Sequence, residues 1–131
     1  MKTREKGQSL VEAAVGMPIL LLILLGIVNL AMYGLAGMNA SNAANYGARQ
    51  ASVAQANVQT VALNSTQAKL DQVSVGTYTV NVSGGGGRGN LIQITVGYEV
   101  DNFFGGLAGF FGGSSEELRG QTVSFFRQEG W

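Results

Sequence analysis

The sequence predicts an α+β fold in which a long N-terminal hydrophobic helix packs against a small three- to four-stranded antiparallel β-sheet. Three observations predict it. No charged residue occurs from Ala13 to Ala48, and between Ile19 and Val28 every residue except Gly26 is Ile, Leu or Val. Small residues then recur at every fourth position, at Ala36, Ala40, Ala44, Ala48, Ser52 and Ala56, which lays a strip along one side of a helix. After that the apolar period changes from about four to two, the period of half-buried strands.

The helix is expected over residues 8–57, and at about 1.5 Å per residue it is longer than a small domain can cover alone. About 20 apolar residues span a bilayer core, so its first half is membrane-competent. Lys2, Arg4 and Lys6 precede it and no Lys or Arg follows before Arg49, which puts the N-terminus in the cytoplasm and the remainder outside. A removed secretory signal is the rival reading, but the apolar run exceeds the usual h-region and passes into more helical sequence. Pro18 lacks a backbone donor and is expected to kink the helix or open a turn. The strip of small residues admits two roles: packing under the chain's own sheet, or meeting helices of other copies.

Residues 58–131 read as a small α+β outer domain. Asn64-Ser65-Thr66-Gln67 has the pattern of a helix start and predicts a short second helix through about Gln72. Tyr78, Val80 and Val82 alternate with polar residues, as do Ile92, Ile94, Val96, Tyr98 and Val100, giving two strands joined by the glycine-rich loop from Gly84 to Asn90. Gly120 to Arg127 supplies a third strand through Val123 and Phe125. The loop satisfies G-x-G-x-x-G formally, but a phosphate cradle needs a helix directly afterwards, and Leu91 to Val100 reads as a strand. Phe103-Phe104-Gly105-Gly106 is echoed by Phe110-Phe111-Gly112-Gly113. These four phenylalanines either plug the core between sheet and helix or contact a membrane surface or neighbouring subunit.

Composition excludes several function classes. The chain of 131 residues has zero formal net charge and contains neither Cys nor His. Disulfides, thiolate and imidazole metal ligands, Cys nucleophiles and His-based proton transfer are therefore absent, and no catalytic, cofactor or metal site is expected. Adjacent Glu116 and Glu117 read as a solvated turn rather than a catalytic pair. Arg49, Lys69, Arg88, Arg119 and Arg127 are scattered, which leaves no electrostatic footprint for nucleic acid. One charge stands out: Glu12, the last ionisable group before the apolar run, where a carboxylate needs a partner or a purpose.

Lys6-Gly7-Gln8-Ser9-Leu10-Val11-Glu12 looks like a class III prepilin leader: basic residues, Gly before the cut, and Glu as the fifth mature residue ahead of an apolar helix. Gly7 to Ser52 resembles the TadE-like pseudopilins of tight-adherence (type IVc) pilus systems, through GQSLVEAAVGMPILLLILLGIVNLA and SNAANYGARQAS. VGYEV and TVSFFRQE are similar to that family's C-terminal end. The resemblance implies a leader at residues 1–7, cleaved by a prepilin peptidase between Gly7 and Gln8, and a non-enzymatic pilin or pseudopilin held in the inner membrane. It further implies an inner-membrane assembly platform and self-association with other pilin subunits into an extracellular filament, which the subunit builds, primes or caps. Gln8 and Glu12 are then the assembly residues, because the new ammonium of Gln8 on one subunit is available to Glu12 of another. The alternative is a non-polymerising, single-pass, membrane-anchored extracytoplasmic binding protein.

Overall fold

The computed structural model describes residues 3–110, 112 and 116–129, with side chains described for the same residues except 3–6, 107, 108 and 110. The elements run α1 (Thr3–Ser52), α2 (Val58–Leu70), β1 (Thr77–Gly84), β2 (Leu91–Val100), α3 (Gly105–Phe110) and β3 (Leu118–Arg127). Two compact units result: Met1–Ala31 with Asn102–Glu116, and Met32–Asp101 with Glu117–Trp131.

In the second unit the sheet has the order β1-β2-β3 and is antiparallel throughout. Its central strand turns Ile92, Ile94 and Val96 inward, all with no exposed surface. Burying a side chain of this size contributes about 1.5–3 kcal/mol. They share one core with Ala40, Ala43, Ala44, Ala48 and Ala51 of α1 and with Val58, Ala62 and Leu70 of α2. Methyl-sized side chains on α1 leave room for branched ones on the sheet, and Tyr78, Val80, Val82, Tyr98 and Phe126 close the sides.

α1 includes Pro18 within its helical span and stops at Ser52 rather than near residue 57. Ala54 N–H turns back to Ala51 C=O, Asn57 adopts a left-handed conformation, and Glu129 N–H satisfies the carbonyl of Ser52 at 2.9 Å. α2 begins at Val58, six residues before the Asn64 start that the sequence suggests. Val58, Ala62, Thr66 and Leu70 form its buried stripe, so the polar run at Asn64 lies mid-helix, with Thr66 Oγ1 donating to Ala62 C=O at 2.7 Å. Where α1 and α2 meet, a Cβ built on Gly47 would collide with Thr66 Oγ1 and lie 2.9 Å from Ala62 O. Only a glycine lets the helices approach this closely.

The hairpin turns at Gly84, whose φ of +83° suits a residue without a side chain and whose Cβ would strike Leu91 O. β3 runs from Leu118 to Arg127 and carries apolar residues on both faces. Val123 and Phe125 point outward, 40% and 59% exposed, while Ser124 and Phe126 point inward. The register pairs Glu99 with Arg119 and Ile94 with Ser124, and the buried Ser124 hydroxyl finds Asn45 Oδ1 at 2.7 Å. A one-residue slip would flip the strand and orphan that bond.

The Tyr33 and Tyr98 rings pack tilted at 51° with centroids 5.3 Å apart, and Tyr33 Oη donates to Arg119 C=O at 3.3 Å. The neighbouring Tyr33 hydroxyl, and then burial, raise the Tyr98 phenol above its ordinary range, while burial raises that of Tyr78.

Gly47→Val should lower stability by about 1–3 kcal/mol through overpacking, whereas Gly34→Ala, with open space around its Cβ, should gain up to about 1 kcal/mol of helix propensity; thermal melts of the full chain in detergent compare them. Because the folded-state phenols titrate above the unfolded value near 10, their stabilising contribution is complete below that pH and is lost as pH rises through the folded values. Melting temperature should therefore fall above about pH 10, and Tyr98→Phe should flatten that fall.

Candidate functional site

The first unit carries the most conspicuous surface of the chain. Leu10, Val11, Val15, Met17, Leu20, Ile23, Ile27 and Leu30 are each more than half exposed, and no residue of the most apolar window of α1 is buried among the described residues. A helix that is apolar all round is suited to lipid or to other helices and not to water. Its start carries the two polar residues that the sequence singles out. Gln8 and Glu12 lie one turn apart, so Gln8 Nε2 donates to Glu12 Oε1 at 3.4 Å, and both side chains stand exposed. Gly7 lies within the same helix, exposed. Among the described residues the carboxylate therefore has a weak neutral neighbour in Gln8 and keeps its capacity for a cation.

Further along, Asn29 is 5% exposed in an otherwise apolar stretch. Its Nδ2 donates to Asn102 Oδ1 at 2.8 Å, and its Oδ1 accepts from Phe103 N–H at 3.1 Å. Asn102 completes the junction: Oδ1 also accepts from Phe104 N–H, and Nδ2 donates to Glu116 C=O. Both polar atoms of the Asn29 amide are thus satisfied by one short segment, which is clipped to α1 at that height. Half-buried Leu22, Leu25 and Gly26 share the Asn29 face of the helix. Sequence reasoning missed this junction, although a lone Asn inside an apolar helix was the available signal.

The remaining predicted residues fall in different places. Ala36, Ala40, Ala44 and Ala48 have no exposed surface and Ser52 has 7%, all within one chain, whereas Ala56 lies past the helix end and is exposed. The strip therefore lies under the chain's own sheet. Phe103 is 51% exposed and is not a core plug; Phe104 is half-buried. The Phe110 side chain and Phe111 lie outside the described residues. The glycine-rich loop joins two strands, so the helix a phosphate cradle requires is missing there. Beside it, Gln55, Asn57, Gln59, Arg88 and Gln128 help line an open cavity of about 540 Å³.

Residues 7–49 match one family model, that of TadE-like proteins. The match takes in Gln8, Glu12, Asn29 and the strip from Ala36 to Ala48, and stops short of Ser52, α2 and the sheet. No curated protein and no solved structure matches the chain.

Replacing Asn29 by Leu should free the clipped segment. The Phe103 amide, left without its acceptor, should exchange with solvent at least about tenfold faster, in line with the 1–3 kcal/mol expected when a buried hydrogen-bond partner is lost. Hydrogen exchange of the full chain reads this directly, and the sheet amides of Ile92 to Val96 should be unaffected.

Proposed function

We propose, from the match of residues 7–49 to the model of TadE-like proteins and from the apolar helix that carries it, that the chain is a non-enzymatic pilin or pseudopilin of a type IV-like, tight-adherence pilus. α1 holds the precursor in the inner membrane with its N-terminus in the cytoplasm. A prepilin peptidase removes residues 1–7. The mature subunit then passes, through an inner-membrane assembly platform, into a filament that it builds, primes or caps. The observation that carries the reading is the uncovered apolar surface from Leu10 to Leu30. One surface serves both states, since lipid and neighbouring helices are equally good apolar surroundings.

Glu12 gives the transfer its selectivity. Cleavage between Gly7 and Gln8 creates an ammonium at Gln8, and in an apolar bundle the carboxylate of one subunit pairs with that cation on the next. An unpaired charge there is costly, so the pair fixes axial register. Methylation of the new amine would keep Gln8 from cyclising to a neutral lactam and preserve the charge.

The second reading, a membrane-anchored extracytoplasmic binding protein that does not polymerise, draws support from the alanine strip being covered within the chain and from the open cavity beside Arg88. Position-specific crosslinking along Leu20 to Ile27 separates the two: a polymer gives ladders of multimers, a lone anchor gives none.

The mature protein should begin at Gln8 by mass spectrometry. Glu12→Ala should leave the membrane level of the precursor unchanged while removing the protein from sheared filaments, because an unpartnered buried ammonium costs about 3–5 kcal/mol per subunit. Intact filaments from Glu12→Ala would rule the pairing out.

A further inference from the structure

We infer that the segment opening with Asn102–Phe104 and continuing into α3 lies in the outer boundary of the bilayer while the subunit is held there, with Phe103 as its lipid contact. The inference rests on the reading that α1 spans a membrane. With the span entered at Ala13, the first residue after Glu12, Asn29 lies about 24 Å further along the helix axis. A hydrocarbon core is about 30 Å thick, which leaves Asn29 inside it by roughly one helical turn. Tilting the helix only sinks it deeper.

An amide at that depth must have both its donor and its acceptor satisfied without water. Asn29 meets this condition through Asn102 Oδ1 and Phe103 N–H, at 2.8 and 3.1 Å, and through no other described residue. Keeping these bonds brings Asn102 and Phe103 to the height of Asn29. The sequence of the segment suits that position: no charged residue occurs between Asp101 and Glu116, and the run contains four phenylalanines and one leucine. Phe103 adds an aromatic ring that is half exposed in the chain itself. An aromatic side chain at the junction of acyl chains and headgroups is favourably placed. Lipid is favoured over a second copy of the chain because the depth follows from α1 and the Asn29 bonds alone. The wedge fixes how deep the subunit sits before it leaves the membrane.

The chain has no native cysteine, so single thiols report cleanly. Phe103→Cys and Gly106→Cys, the latter with open space around its Cβ, each carry an environment-sensitive dye in the full chain. The labelled proteins are reconstituted in phosphatidylethanolamine–phosphatidylglycerol vesicles, and Leu20→Cys and Phe125→Cys serve as span and outer-face references. Quenching by aqueous iodide should be several-fold weaker at 103 and 106 than at 125, and nitroxide lipids labelled near the headgroup should quench both. Iodide access at 103 and 106 equal to that at 125, with Leu20 shielded, would overturn the inference and leave the anchoring reading standing. Iodide access at Leu20 as well would overturn the anchoring reading and this inference with it. Shielding at 103 and 106 that grows with protein density, without nitroxide quenching, would assign the segment to a second copy and also overturn the inference.

Discussion

Close contact between the alanines of α1 and the branched residues of β2 is the constraint on which the rest of the fold depends. Ala36, Ala40, Ala44 and Ala48 expose nothing, and neither do Ile92, Ile94 and Val96. A three-stranded sheet is marginal in water unless one face is covered, and here the cover is the alanine face of α1 together with Val58, Ala62 and Leu70 of α2. Small side chains at every fourth residue make α1 a shallow surface on which the sheet can settle. Gly47 extends the same device to α2, where even a methyl group would strike Thr66. Larger residues along the strip would push the layers apart and leave voids among the sheet's side chains.

That contact uses α1 only from about Tyr33 onward. The N-terminal part of the same helix has another composition and another requirement: its Leu, Ile and Val side chains are exposed on all faces except the one held by Asn29. A helix of this kind is stable only when something outside the chain removes it from water. The two parts therefore behave as a folded anchor for the sheet and an unfinished surface. Glu12, whose hydrogen-bond partner among the described residues is Gln8, marks the end of the unfinished part with a carboxylate.

Much of this was legible in the sequence. The uncharged run gave α1, the period-two alternation gave β1 and β2, and the spacing of the alanines marked the face that the structure buries. Three features were not legible, each for a physical reason. The start of α2 was hidden because Asn57 caps nothing with its side chain and instead takes a left-handed conformation, while Asn64-Ser65-Thr66-Gln67 imitates a cap in mid-helix. The facing of β3 was hidden because its apolar residues lie on both sides: Val123 and Phe125 face outward, while Phe126 packs against the core on the same face as Ser124, whose hydroxyl bonds to Asn45, 79 positions away. The Asn29 junction pairs residues 73 positions apart, and no local pattern encodes such a partner. Among the candidate site residues, Gln8 and Glu12 could be read from their place at the head of the apolar run, whereas Asn29 required the fold.

The central claim is that the sheet depends on residues 32–52 of α1 and is independent of the uncovered apolar part. Hydrogen exchange of a fragment starting at Met32 tests it most directly. The fragment should be a soluble monomer in which the Ile92, Ile94 and Val96 amides exchange as slowly as in the full chain. Rapid exchange at those amides, or a fragment that folds only when the first 31 residues are restored, would contradict it.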